Sequence, residues 1–232
     1  MRPSFVDEMK KRLVHVLLFG LGVCSMSIFA EPTPSANEIL ANVRSLQARQ
    51  QLEVQGQLRQ NDVVIPFRLI ENGPTVRYVF SNPEESLQLQ IGESDSDLEQ
   101  LSADGAKKIA QFNQKVRGTD ITYEDLALKF LYWSRAEVLA QENVRTRDCW
   151  KLRLRAPSKK SQYSNVLLWI DKNSGALMRM EGYDWDGKLA KRFEVISAQK
   201  IDNRWFLKQM RIEMLQPGTN HVLSRTYLEI KR

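Results

Sequence analysis

Residues 63–80, VVIPFRLIENGPTVRYVF, contain two runs of alternating apolar and polar residues on either side of a turn. In the first run Phe67 and Leu69 share one side of the chain, and in the second run Tyr78 and Phe80 do the same. A period of two is typical of a β-strand that buries one face and exposes the other to water. The turn residues Asn72-Gly73-Pro74 between the runs therefore indicate a β-hairpin.

The same alternation recurs along the chain and predicts about eleven antiparallel strands. Turn-forming pairs such as Asp186-Gly187 and Pro217-Gly218 separate the runs. A twisted sheet of this size curls instead of staying flat, so we expect a half-barrel with its apolar face inside. The predicted strands cover residues 52–59, 63–71, 75–81, 86–92, 136–144, 150–155, 165–170, 176–184, 189–199, 204–215 and 222–230.

Three amphipathic segments predict helices that cover the half-barrel. Ser35 and Glu38 form a capping-box pattern ahead of the first. Residues 102–115 have apolar residues at helical spacing and predict the second, and Thr122 with Asp125 predicts a capped start for the third. The second and third helices fall in an insert, residues 93–133, that separates the first four strands from the last seven. The predicted fold is mainly β with α, an eleven-stranded antiparallel half-barrel covered by about three helices.

The N-terminal 30 residues are typical of a secretory signal peptide. Lys10-Lys11-Arg12 precedes an apolar stretch, residues 13–29, which is followed by a small residue, Ala30. We expect cleavage near Ala30 and a single periplasmic domain, residues 31–232. Two alternatives stay open: Met9 as the true start, and an uncleaved anchor.

The charge of the chain disfavours nucleic acid as a partner. Removing the four basic and two acidic residues of the predicted signal peptide lowers the net charge from +6 to +4. The basic residues are spread over the polar faces of strands, whereas nucleic-acid binding needs a concentrated basic patch. Transient contact with an anionic membrane surface, or binding of an acidic partner, fits this distribution better.

The sequence has none of the common catalytic or metal-binding motifs. His221 is the one histidine after residue 30, and no glycine-rich phosphate loop or zinc-ligand spacing occurs. Residues 171–175 and 184–187 resemble the opening of a calcium loop but lack its distant glutamate ligand. Cys149 is expected to be a packed side chain and not a reactive thiol. The prediction is a binding protein without catalytic residues, cofactor or metal.

Three segments resemble the outer-membrane lipoprotein-sorting family of LolA- and LolB-like periplasmic carriers. They are residues 118–126, GTDITYEDL; residues 169–175, WIDKNSG, followed by Met178-Arg179; and residues 205–210, WFLKQM. The resemblance implies a half-barrel whose hydrophobic cavity holds the acyl chains of lipoproteins, taken from an inner-membrane transporter and passed to an outer-membrane acceptor. It also implies that an arginine from an early strand holds the covering helices closed, for which Arg68 and Arg77 are candidates.

Ten side chains of the apolar face and the covering helices are the candidate ligand-binding residues. The face is either an open cavity or a filled core, and methionine suits a cavity because it adapts to chains of differing shape. The candidates are Tyr78, Phe80, Leu126, Phe130, Leu131, Met178, Met180, Met210, Ile212 and Met214.

Three functional hypotheses follow. The first is a carrier that binds an acylated lipoprotein or a lipid and sorts it towards the outer membrane. The second is an envelope sensor or interaction module on the same fold. The third is an enzyme acting on a lipid-like substrate, which would need carboxylates inside the cavity. Tyr123, Glu124 and Asp125 form either a functional polar edge or simply the favourable start of a helix.

Overall fold

Thirteen antiparallel strands form one continuous sheet in the computed structural model, which describes residues 33–201 and 204–231. All of them belong to one compact unit, Pro34–Arg232. The predicted signal peptide and the alternative start at Met9 lie outside the described residues. No helix in the described part of the chain is long and apolar enough to cross a membrane.

The elements follow one another with short connections. Two α-helices occur among the described residues, α1 (Ala36–Gln47) and α2 (Tyr123–Leu126), and short 3-10 helices cover Val116–Gly118 and Lys129–Tyr132. The strands are β1 (Gln51–Gln60), β2 (Val63–Asn72), β3 (Thr75–Ser81), β4 (Glu84–Ile91), β5 (Ser96–Ser102), β6 (Gly105–Lys108), β7 (Arg135–Val144), β8 (Arg147–Arg155), β9 (Asn165–Asp171), β10 (Leu177–Tyr183), β11 (Leu189–Ile201), β12 (Arg204–Leu215) and β13 (Val222–Lys231).

The strand order is β6-β5-β4-β3-β2-β1-β13-β12-β11-β10-β9-β8-β7. Every neighbour is a hairpin partner except at the centre, where β1 pairs with β13. Since β6 and β7 are the two edge strands, the chain must pass from one edge to the other, and it does so through residues 109–134, here named the crossover. Tyr78 on β3 and Met180 on β10 are six strand positions apart and line the same cavity, so the sheet curves around that cavity.

The predicted strand count was too low by two. All eleven predicted strands are present, and β5 and β6 lie in the insert that was expected to be helical. The helix predicted for residues 102–115 is wrong, because Ser102 instead pairs with Gly105 across a tight turn. Gly105 has a φ of +118°, a conformation open to glycine and incompatible with a helix.

Both predicted capping boxes are confirmed. The Ser35 hydroxyl accepts from the backbone N–H of Glu38 (3.3 Å), and the Glu38 carboxylate accepts from the backbone N–H of Ser35 (2.8 Å). Thr122 and Asp125 make the same reciprocal pair at α2. The helix that begins there is much shorter than predicted, because Leu128 takes a left-handed conformation (φ 52°) that ends it before the second 3-10 helix.

The outer face of the sheet is covered by ion pairs between neighbouring strands. Glu213 on β12 accepts from Arg225 on β13 (3.0 Å) and lies 3.3 Å from the guanidinium of Arg211. On β10, Glu181 pairs with Arg192 of β11 at 2.9 Å. These charged rows keep one face of the sheet in water, so that the apolar residues of the other face pack inward.

Candidate functional site

A cavity of about 570 Å³ lies between the inner face of the sheet, α1 and the crossover. Its walls come from β1–β3 on one side and from β10–β13 on the other, and most of the lining side chains are apolar. The volume falls within the range of about 300 to 1,000 Å³ that is usual for small-molecule sites. It is several times the volume of about 150 Å³ that suffices to hold a benzene molecule.

The structure brings eight of the ten candidate residues to this cavity. They belong to β3, the crossover, β10 and β12, and they are Tyr78, Leu126, Phe130, Leu131, Met178, Met180, Met210 and Ile212. The apolar face is thus part cavity and part filled core, because neighbouring side chains such as Leu87 and Leu89 are completely packed.

Two candidates do not border the cavity. Phe80 is only 1% exposed and packs edge-on against Phe67, with their ring centroids 5.9 Å apart. It belongs to the filled part of the core beneath Val116 and Ile121 of the crossover. Met214 lies two residues beyond Ile212, near the end of β12, where the sheet has already passed the edge of the cavity.

Several lining residues were not among the sequence candidates. Phe193 on β11 lies between Met180 and Ile212 in the register of the sheet, so its side chain reaches the same wall. Phe67 and Leu69 on β2 also line the cavity. Their alternation with polar residues had indicated that they share one face, but they were not chosen as candidates. Trp205 lies at the rim with 69% of its surface exposed.

The crossover is held to the sheet by a buried cluster, Asp125, Gln162, Tyr163 and Lys191, here named the lid anchor. Lys191 on β11 places its Nζ 2.7 Å from Asp125 Oδ2, and both side chains are almost completely buried. The Tyr163 hydroxyl donates to Asp125 Oδ1 at 2.6 Å, and Gln162 donates to the same oxygen at 3.2 Å. Burial and the charge of Asp125 raise the pKa of Tyr163 well above its usual value. One carboxylate therefore both caps α2 and fixes it to β11.

The position of Tyr163 depends on a glycine in the neighbouring strand. A Cβ atom at Gly182 of β10 would lie 2.2 Å from the Tyr163 ring. Glycine at this position lets the ring lie flat on the strand and direct its hydroxyl at Asp125.

A second contact fixes the crossover to the centre of the sheet. Asp120 accepts from the hydroxyl of Ser224 (2.7 Å) on β13 and lies 3.3 Å from Lys115 Nζ. The backbone N–H of Asp120 donates to the Thr226 hydroxyl at 3.3 Å. The GTDITYEDL segment that carried the family resemblance thus contacts the sheet through both of its aspartates, Asp120 and Asp125.

The candidate arginines do not hold the crossover. The Arg68 side chain lies on the outer face of β2 and pairs with Glu53 at 3.1 Å, and Arg77 donates to the side chain of Gln88 at 2.7 Å. Lys191 of β11, on a late strand, makes a buried charged contact to the crossover instead, and Arg117 of the crossover pairs with Glu85 of β4 at 3.3 Å.

A group of polar side chains lies at one end of the cavity. Gln47 and Gln50 at the end of α1 line it there, together with Glu71 near the end of β2. Burial raises the pKa of Glu71 above its ordinary value. Burial and the nearby Glu71 also raise the pKa of Tyr78.

The side chains considered for catalysis or metal binding are engaged in packing, in an ion pair or in turn hydrogen bonds. The Cys149 thiol is completely buried, and this burial raises its pKa to about 11, so it stays protonated near neutral pH. Asp171 accepts two bonds from Arg147 (2.6 and 3.0 Å), and Asp184 accepts from backbone groups of its own turn. Among the described residues, no group of three or more histidine, cysteine or acidic side chains is arranged to hold a metal ion.

Comparison with known proteins finds a matching family model and solved structures with a similar fold. A family model described as "Uncharacterized protein" matches residues 102–232. A domain assigned to an outer membrane lipoprotein-sorting protein from Vibrio parahaemolyticus aligns with a TM-score of 0.65 and 17% identity, over 85% of this chain and 90% of that chain. A DUF1329 family protein from Desulfovibrio piger aligns with a TM-score of 0.63 and 20% identity, over 86% and 92% of the two chains. A LolA superfamily protein from Nitrosomonas europaea aligns with a TM-score of 0.60 and 15% identity, over 86% and 93%.

These similarities concern the fold. At 15 to 20% identity they show that the chain is built like the lipoprotein-sorting proteins, which confirms the predicted resemblance at that level. No curated protein matches the chain in sequence.

Proposed function

Since the chain belongs to the family whose model is described as "Uncharacterized protein", and has the fold of lipoprotein-sorting proteins, we propose that it is a periplasmic carrier of acylated cargo. The cargo is an acylated lipoprotein or a lipid. The carrier takes it from an inner-membrane transporter and delivers it to an outer-membrane acceptor, with transient contact to the membrane at each step.

The observation that carries the proposal is the apolar cavity beneath the crossover. Transfer of an acyl chain from water to an apolar environment is favourable by about 0.8 kcal/mol per methylene group. Met178 and Met210, both partly buried at the wall, can change rotamer to fit chains of different length. A cavity with these properties supports binding of a flexible hydrocarbon chain.

The crossover supports the release step. Leu126, Phe130 and Leu131 of the crossover border the cavity, so a chain can enter or leave when this segment moves away from the sheet. The lid anchor resists that movement, and its contacts offset part of the gain from burying the chain. Cargo that is held too tightly could not be passed on, so this balance suits a carrier.

Native mass spectrometry of the protein purified from a periplasmic extract tests the proposal. We expect masses that exceed the apo protein by those of lipids or acylated peptides, and extraction of the sample should identify them. A protein that is purified without any bound lipid and takes up neither added phospholipid nor acylated peptide would contradict the carrier function.

Replacement of Phe130 with alanine is expected to speed cargo release. Phe130 is 3% exposed, and its removal should lower the free energy of unfolding by about 3 kcal/mol. The larger opening beneath the crossover should also raise the release rate of pyrene-labelled phosphatidylethanolamine several-fold, as followed by stopped-flow fluorescence. Phe112→Ala is the control, because Phe112 packs in the crossover without bordering the cavity. Equal release rates in the two variants would argue against a gating role for Phe130.

A further inference from the structure

Three charged side chains line the cavity, and two of them already have partners. Asp125 is paired with Lys191 in the lid anchor, and Arg147 makes a bidentate ion pair with Asp171. Glu71 is the third. Within residues 33–201 and 204–231, its Oε2 atom is buried and accepts no hydrogen bond.

The sequence of β2 directs Glu71 into the cavity. It follows Phe67 and Leu69 at intervals of two, so all three side chains lie on the inner face of the strand. Opposite Glu71, Leu52 of β1 also lines the cavity. A carboxylate is therefore positioned at an apolar wall, where burial without a hydrogen-bond partner is costly.

Two glutamines lie at the same end of the cavity as Glu71, and no lysine or arginine of the described residues forms an ion pair with its carboxylate. The backbone N–H of Gly73 donates to the Gln50 carbonyl (2.9 Å), which holds the β2–β3 turn against the end of α1. Gln47 and Gln50 thereby lie at the same end of the cavity as Glu71, and Gln47 Oε1 is likewise buried without a partner among the described residues. Gln47, Gln50 and Glu71 are here named the polar end.

The titration behaviour agrees with this geometry. The pKa of Glu71 is raised by burial alone, with no neighbouring cation acting to lower it. Tyr78, whose own pKa is raised by burial and by Glu71, is a further polar group facing the polar end. A ligand with a positive, hydrogen-donating group would satisfy both unpartnered oxygens.

We propose that the cavity selects amphiphiles with an ammonium head group, which Glu71 and Gln47 bind at the polar end while the acyl chain occupies the apolar part. The inference rests on the proposed carrier function and specifies its ligand class. An acyl chain with an ammonium group occurs in phosphatidylethanolamine and in a diacylated peptide with a free N-terminal amine.

The test compares three probes that share one chain length, namely dodecylammonium, dodecanol and dodecanoate. Each is titrated into protein produced from the full sequence, with isothermal calorimetry at neutral pH, at concentrations below the micelle concentrations of the two charged probes and below the solubility limit of dodecanol. We expect dodecylammonium to bind about tenfold more tightly than dodecanol, as one charge-assisted hydrogen bond allows, and dodecanoate to bind most weakly.

The variant Glu71→Gln identifies the residue responsible. It keeps the shape of the side chain and removes the charge, so the ratio of the dodecylammonium and dodecanol affinities should fall from about ten to near one. Glu53→Gln is the matched control, because Glu53 lies on the outer face and pairs with Arg68; it should keep the wild-type ratio. Circular dichroism and thermal unfolding establish that each variant is folded.

The results separate this inference from the carrier function. Equal binding of the three probes, or a ratio that Glu71→Gln does not change, would overturn the ammonium selectivity and leave the carrier function in place. Failure of all three probes to bind would count against both. Binding of phosphatidylethanolamine and of a diacylated peptide is then measured with the wild type and with Glu71→Gln, and the N-acetylated form of the peptide serves as comparison. These measurements show for which of the two ligands the affinity depends on Glu71. If neither does, the inference is wrong.

Discussion

Replacement of Lys191 with alanine is expected to lower the free energy of unfolding by about 3 to 5 kcal/mol, as is typical when one partner of a buried ion pair is removed. Lys191 and Asp125 are only 3% and 2% exposed, so water cannot solvate the carboxylate that remains. Urea denaturation followed by circular dichroism measures the loss. The same variant should also release pyrene-labelled phosphatidylethanolamine faster, since α2 loses its contact to β11.

Two further variants show whether the charge is responsible. Lys188→Ala removes a lysine from the exposed turn just before β11, and it should change stability by no more than about 0.5 kcal/mol. Lys191→Met combined with Asp125→Asn removes both charges, and it should recover part of the stability lost in Lys191→Ala. A loss below about 1 kcal/mol in Lys191→Ala would mean that the lid anchor does not hold the crossover.

Val195→Trp is expected to abolish acyl-chain binding. Val195 is partly buried on β11 and lines the cavity, so an indole ring at this position would occupy space that the ligand needs. We expect the affinity for pyrene-labelled phosphatidylethanolamine to fall at least about a hundredfold, which corresponds to about 2.7 kcal/mol. Fluorescence titration measures the change.

A valine outside the cavity provides the control. Val64 at the start of β2 is 50% exposed and does not border the cavity, so Val64→Trp should bind the lipid as the wild type does. Unimpaired binding by a folded Val195→Trp protein would show that the ligand does not occupy this cavity.

The strands were predictable wherever the apolar residues kept a period of two. Strand β5 breaks that period, because Leu98 and Leu101 are three residues apart and lie on opposite faces. All four residues of β6 are exposed, so it has no buried apolar side chain to mark it. Its existence depends on backbone pairing with β5, which sequence periodicity does not report.

The apolar part of the site could be predicted, whereas its charged contacts could not. Alternation alone places Met180, Met210 and Ile212 on the inner face. Lys191 looks like any other lysine of a basic strand, and only contact with Asp125, 66 residues earlier, shows its role. For Glu71 a signal was present, because it continues the inward phase of Phe67 and Leu69.

The pairing of β1 with β13 sets the order in which the molecule can be completed. Gln60 and Thr226 are neighbours across these strands although 166 residues separate them. Hairpins β1–β6 and β7–β13 can each form from local contacts as they are synthesised, but the seam between them waits for the last strand. Closing so long a loop is a slow folding step. Until then β1 keeps an open edge that other strands can join, so a chaperone that shields this edge would protect the newly made protein from aggregation.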